Sequence, residues 1–342
     1  MCHFSIKRCF VVLLLALTCL LYSCSYKTKE PVTSTALKLN TVVSISIYDT
    51  ADFSIADEAL SLIDKYDLLF SRTNPDSELY KLNHGQLAVD SNNYASVSPE
   101  TYEIISLGKY YANLSGNTFD IAIEPLTSLW DFSSEKKIVP SKDDINSILP
   151  YLSPDEILLS SPDKIKLADA NAGIDLGGIA KGYIADKTAD YLKAQGVTSA
   201  IINLGGNVLC IGNKENQPFT VGIQKPFAPQ GEYLATIQVT DKSVVSSGIY
   251  ERYFEKDDVF YHHILNPKTG YPYQNDLIGV TIITDSSTDA DALSTTCFSL
   301  GLKDGLALIE SIDNADALFI DSNYNVHYSE NFKEKYNLVM AD

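Results

Sequence analysis

The sequence predicts an α+β fold built mainly on antiparallel sheet, and three observations carry that prediction. The strand-like runs follow one another across short turns, as in hairpins. The helical patterns come in blocks and do not alternate strictly with strands, which disfavours a doubly wound parallel sheet. No internal repeat and no clean linker interrupt the chain after residue 35, so 342 residues form one large domain or two intimately packed subdomains.

Taken in order, residues 1–23 stand apart from the fold. Lys7 and Arg8 precede an apolar run from Cys9 to Leu21, too short to span a bilayer comfortably, which reads as a secretory signal. It ends in Leu21-Tyr22-Ser23-Cys24, similar to the bacterial lipobox, in which the Cys is lipidated and becomes the mature N-terminus. An ordinary signal peptide with cleavage nearby, or an uncleaved anchor, is the alternative. Residues 24–35 then read as a flexible tether, and 36–342 as the folded part.

Ala36–Tyr48 alternates β-branched residues and predicts one strand. Ile55–Phe70 has the apolar spacing of an amphipathic helix. Ser98 and Pro99 are the cap and first residue of a helix reaching about Leu114. Residues 116–130 are apolar but carry Asp120 and Glu124, and a polar insertion follows with a short helix after Ser141. Ile157–Ser160 and Lys164–Ala168 predict a hairpin. A helix from the Gly177-Gly178 pair ends at Gly196, a glycine stop. Ser199–Gly212 reads as a buried strand interrupted by Gly205-Gly206. Strands are expected at 219–224, 233–239, 244–246 and 277–284. A hairpin is expected over 250–267 with its turn at 256–258, and helices over 288–300 and 304–312. Strands at 317–320 and 326–328 close the chain.

Charge narrows the function. The net charge is −18, or −20 once Lys7 and Arg8 are removed, which makes the chain a poor non-specific nucleic-acid binder. A polyanionic ligand would need a local basic spot or a metal. Beyond Cys24 only Cys210 and Cys297 remain, each in an apolar context that suits a buried free thiol, with a disulfide between them the alternative in an exported protein.

Three constellations have chemical potential. The first is Asp175–Asp186, DLGGIAKGYIAD. Two glycines open a helix whose free N–H groups suit a phosphate, and Lys181 sits in the first turn, where the dipole disfavours a cation unless an anion is near. A tight turn with Lys181 in solvent is the competing account. The second is Asp291 and Thr295, which share a helix face at i and i+4 and make a hard-oxygen pair suited to Mg²⁺. Alternatively, Asp289 and Asp291 merely complement the helix dipole. The third is His262-His263, of which alternation lets one at most face a given site. No Walker loop, no GxGxxG, no GxSxG elbow and no zinc spacing is present.

DLGGIAKGY, NLGGNV, SGIYERYF, HHILNPKTGYP and DADALSTT occur in that order, and together they resemble the ApbE family, the FAD:protein FMN transferases. The resemblance covers about residues 36–335. It implies an α+β fold holding FAD between two packed subdomains, with Mg²⁺ at the pyrophosphate. The implied reaction joins FMN, through its phosphate, to a Thr or Ser hydroxyl of a target protein and releases AMP. The target would be an exported or membrane subunit of a redox complex, and the lipid on Cys24 would hold the enzyme on the periplasmic face of the inner membrane.

By position, the resemblance assigns Asp291, Thr295 and the Gly178 carbonyl to the metal, with Ser294 where some members have another Asp. It assigns Leu39, Thr73, Thr118, Phe119, Asp120, Asp175, Lys181 and Leu265 to FAD contacts, and His263 to the base. Leu39-Asn40-Thr41 replaces a usual Met-Gly-Thr, and Thr73 a position often aromatic. An FAD pyrophosphatase using water as acceptor, or a flavin-binding lipoprotein without chemistry, would share the same motifs.

Overall fold

The computed structural model describes residues 30–229 and 231–341. The signal, the lipobox and most of the tether therefore lie outside the described residues. From Val32 onward the chain is one compact unit. No helix among the described residues is long and apolar enough to cross a membrane.

The chain opens with strands β1 (Val32–Lys38) and β2 (Thr41–Ile47). Residues 32–35, expected in the tether, are thus already sheet. The single strand expected over 36–48 is a hairpin, because Leu39 and Asn40 take left-handed φ values of 53° and 57°. Helix α1 (Phe53–Phe70) buries Ala56, Ala59, Leu60, Ile63, Tyr66 and Phe70, the predicted stripe. Then follow α2 (Glu78–Asn83), β3 (Ala95–Ser96) and α3 (Pro99–Leu114), the last capped by Ser98 as expected. Helices α4 (Glu124–Trp130) and α5 (Lys142–Ile148) precede the hairpin β4 (Ile157–Ser160) and β5 (Lys164–Leu167).

Helix α6 (Ala180–Ala194) leads to β6 (Ala200–Leu204) and β7 (Asn207–Ile211). The interrupted strand of the sequence reading is therefore also a hairpin. Gly205 and Gly206, at φ 64° and 95°, are its two-residue turn. Next come β8 (Phe219–Gln224), β9 (Tyr233–Val239), β10 (Ser243–Gly248), β11 (Tyr253–Lys256), β12 (Val259–His262) and β13 (Leu277–Thr284). Helix α7 (Ser287–Glu310) joins the two helices expected there across a kink at Gly301, φ 79°. Strands β14 (Asp316–Asp321) and β15 (Val326–Tyr328) are followed by α8 (Phe332–Lys335) and β16 (Val339–Met340), both absent from the sequence reading.

Eight strands form one sheet in the order β1-β2-β6-β7-β10-β13-β14-β15, each neighbour antiparallel. Strand β13 is buried at every position, which is why it reads as a continuous apolar run. Helices α1, α6 and α7 join the sheet in the main core. A second cluster, with Phe219, Ile223 and Ile237 of β8 and β9 and Phe332 of α8, packs with Val244 of β10 and Ile283 of β13. A third gathers Leu126, Trp130, Ile145, Phe254 and Leu265. The expected α+β architecture with antiparallel sheets is the observed one.

Candidate active site

The site is assembled where α6 meets α7. The two helices touch through Gly182, where a Cβ would stand 2.1 Å from the Ser287 carbonyl oxygen and 2.8 Å from the Asp291 Cβ. Only a residue without a side chain permits that approach. The contact lets the Gly182 N–H donate to Asp291 Oδ2 at 2.9 Å, so a buried carboxylate is fixed by backbone. Asp186, one turn along α6, caps α7 from outside. It accepts from the N–H groups of Ser287 and Thr288 at 2.8 Å each.

Lys181 Nζ lies 3.5 Å from Asp291 Oδ1. The anion that the first-turn lysine calls for is therefore supplied, at least in part, by the protein itself. Thr295, one turn beyond Asp291, keeps its Oγ1 3.3 Å from Ser247 Oγ of β10. Ser294 is buried, shares a 2.7 Å hydrogen bond with Ser247 and donates to the Asp291 carbonyl, a structural role. Asp289 accepts from the Tyr111 hydroxyl at 2.7 Å.

Gly178 sits between two of the expected contact residues. A Cβ there would stand 2.9 Å from the Phe119 ring and 3.6 Å from Thr295 Oγ1. Gly178, Phe119, Asp291, Thr295 and Lys181 are thus brought together. The turn that presents Gly178 is held by Asp175, whose Oδ1 accepts the Gly177 N–H at 2.8 Å. Asp175 Oδ2 accepts from Thr127 Oγ1 at 2.8 Å and stands 3.0 Å from Arg72 Nε. Arg72 also donates to Ser128 Oγ at 3.0 Å, and Ser128 to Glu124 at 2.5 Å.

The remaining expected residues fall into different surroundings. Thr118 donates to the Ser115 carbonyl, and its own carbonyl accepts the Tyr273 hydroxyl at 2.8 Å. Asp120 is buried, with Oδ1 on the Ala122 N–H and Oδ2 unpartnered; burial pushes its pKa up to about 6. Thr73 is exposed and adjoins Arg72 in the chain. Leu39 is half-buried in the β1–β2 turn, and Thr41 just beyond it lies against Gly205. Leu265 is buried beside Trp130, so its side chain serves the core.

The two histidines differ as alternation requires. His262 is buried, and its Nε2–H donates to the Tyr273 carbonyl at 3.0 Å. His263 keeps exposed surface, and its Nδ1–H donates to the Arg252 carbonyl at 3.2 Å, which leaves the Nε2 lone pair free. Desolvation first, then Arg252 and His262, hold His263 below the ordinary histidine value; Lys181 acts the same way. Glu251 faces this group too. Its pKa is raised by desolvation and Asp291, against Lys181 and Arg252.

The donors that α7 offers a cation are the Asp291 carboxylate and the Thr295 hydroxyl, both hard, with the Gly178 backbone close to Thr295. Among the described residues no group of three or more His, Cys, Asp or Glu gathers at one point. Such a set fits Mg²⁺ completed by phosphate oxygens and water, and it does not fit zinc. Sequence reasoning missed Arg72, Gly182, Asp186, Ser247 and Glu251. Arg72 and Arg252 are the only arginines after residue 23, a scarcity that could have marked both.

A model of the ApbE family matches residues 39–319. The FAD:protein FMN transferase of Klebsiella pneumoniae (strain 342) is 34% identical over 292 residues, covering 85% of this chain and 89% of that protein. That of Treponema pallidum (strain Nichols) is 33% identical over 300 residues, covering 83% and 82%. The crystal structure of the ApbE protein from Thermotoga maritima superposes with a TM-score of 0.79 at 30% identity, covering 89% of this chain and 99% of that one. The flavin transferase ApbE from Vibrio cholerae gives 0.79 at 25% identity, with the same coverage. This chain belongs to the ApbE family.

Proposed function

We propose that this chain is a Mg²⁺-dependent FAD:protein FMN transferase, which joins FMN through its phosphate to a Thr or Ser hydroxyl and releases AMP. The observation that carries the reading is the backbone-fixed Asp291 carboxylate facing Lys181 and one turn from Thr295, beside the Gly177-Gly178 turn. In a chain of net charge −18, this is where a pyrophosphate can be held.

Substitution at phosphorus demands charge neutralisation and in-line positioning. Mg²⁺, held by Asp291, Thr295 and the Gly178 carbonyl, would neutralise charge on the pyrophosphate and on the departing AMP. The Lys181 ammonium and the Gly177-Gly178 backbone hold phosphate oxygens. His263 presents a free Nε2 lone pair and stays neutral at pH 7, as a base for the acceptor hydroxyl must. Leu39, Thr73, Thr118, Phe119, Asp120, Asp175 and Leu265 supply the FAD surroundings, with Asp175 acting on the glycine turn and Leu265, whose side chain is in the core, through its main chain. Lipid on Cys24 would keep the domain at the periplasmic face of the inner membrane, within reach of a redox-complex subunit as acceptor.

The test is His263→Ala. Flavin binding should persist while single-turnover transfer slows by about 10²–10⁴, the usual worth of a general base. An unchanged single-turnover rate removes His263 from that role.

A further inference from the structure

The hairpin β11–β12 has two unlike faces. Phe254 and Tyr261 point into the Trp130 cluster, with centroids 6.4 and 5.4 Å from the indole. Tyr253 and Phe260, on the other face, stack on each other at 4.8 Å. Phe227 closes over both, at 5.7 and 5.9 Å, and over Tyr250 at 5.9 Å. Phe227 and Tyr253 are 45% and 43% exposed, which for aromatic rings in mutual contact makes an open apolar surface. Phe227 holds this position with a left-handed φ of 60°, an unfavourable conformation for a bulky residue.

The patch is continuous with the site. The hairpin's base lies between Arg252 and His263, whose N–H and Nδ1–H both donate to the Arg252 carbonyl. Tyr250 lies three residues from Ser247, the partner of Thr295, and its ring fills the space above Gly248. The hairpin is rimmed by exposed Glu255, Asp257 and Asp258 against Arg252 and Lys256, a small acidic surplus that leaves out Glu251, which faces the site. A surface with open aromatics, an acidic rim and a base at its foot suits a polypeptide segment with apolar and basic side chains.

We propose that the face formed by Phe227, Tyr250, Tyr253 and Phe260 docks the segment of the acceptor protein that carries the modified hydroxyl. This rests on the transferase reading, because only a protein acceptor needs a docking surface beside the base. Aromatic residues are favoured anchors in such contacts, and truncating an anchor costs affinity without touching the chemistry.

The experiment uses the full chain with Tyr253→Ser and Phe260→Ser combined, and Tyr324→Ser as an exposed aromatic control in the β14–β15 turn. The acceptor probe is a domain carrying a Thr flavinylation motif. FMN transfer is followed against acceptor concentration, alongside FAD affinity by flavin fluorescence and elution volume by size exclusion. The double variant should raise the acceptor KM by about tenfold or more, with kcat, FAD affinity and elution volume unchanged and the control like wild type. An unchanged acceptor KM overturns the docking surface while leaving the transferase reading intact. Weakened FAD affinity gives the patch to the flavin, and an altered elution volume gives it to a second copy; either overturns the proposal. A wild-type chain that binds FAD but transfers nothing to the domain removes the transferase reading, and the docking surface with it.

Discussion

Arg72 Nε stands 3.0 Å from Asp175 Oδ2, and through Asp175 it reaches the glycine turn of the site. Both side chains are mostly buried, so the pair is screened less than a surface bridge. Arg72→Ala should cost about 1–2 kcal/mol of stability, because Asp175 keeps its Thr127 and Gly177 partners but loses its counter-charge. FAD affinity should fall and the Mg²⁺ requirement rise as the turn loosens. Titration of FAD at several Mg²⁺ concentrations checks this, and unchanged binding would mean the turn is rigid without Arg72.

Asp291 combines the proposed metal-ligand position with a structural hydrogen bond, and two substitutions separate the parts. Asp291→Ala leaves the Gly182 N–H buried without a partner, at a cost of about 1–3 kcal/mol. Asp291→Asn can keep that bond while losing the charge. Both should abolish transfer, and the Asn form should melt closer to wild type. Mg²⁺-dependent activity surviving in either variant would contradict the metal role.

Gly182→Ala tests the helix contact. Its Cβ would meet the Ser287 backbone at 2.1 Å, so α6 and α7 must part. A loss of about 1–3 kcal/mol is expected from overpacking, with a larger loss of activity than of stability because Asp291 moves with α7. Denaturant unfolding and a transfer assay on the same preparation read both.

The pH profile follows from His263. The proposed base acts in its neutral form, and its pKa lies below the ordinary 6.5. The rate should therefore be flat from pH 8 down to about 6.5 and fall only as the pH drops through the lowered pKa. A single-turnover profile whose acid limb centres at or above 6.5 would contradict the assignment.

What the sequence displayed was local. The Ser98 cap, the short helix after Ser141, the apolar stripe of α1 and the buried run of β13 depend on neighbours in the chain, and each appears where expected. The β1–β2 turn was hidden because Leu39 and Asn40 adopt left-handed φ without a glycine to announce it. Gly205-Gly206 is visible, but a glycine pair inside an apolar run fits an interrupted strand as well as a two-residue turn. Of the candidate site, the Asp291–Thr295 pair is legible from helix spacing and Lys181 from its place in the first turn of α6. The Arg72–Asp175 pair and the α6–α7 contact at Gly182 join distant segments, and no periodicity encodes them.

The most direct measurement is mass spectrometry of an acceptor domain with a Thr flavinylation motif, incubated with FAD, Mg²⁺ and the chain from residue 25 onward. The account predicts a mass gain equal to one FMN phosphoester on the acceptor, with AMP released in equal amount. AMP and free FMN with an unmodified acceptor would contradict it in favour of a pyrophosphatase, and bound FAD without AMP would contradict it in favour of a flavin-binding protein.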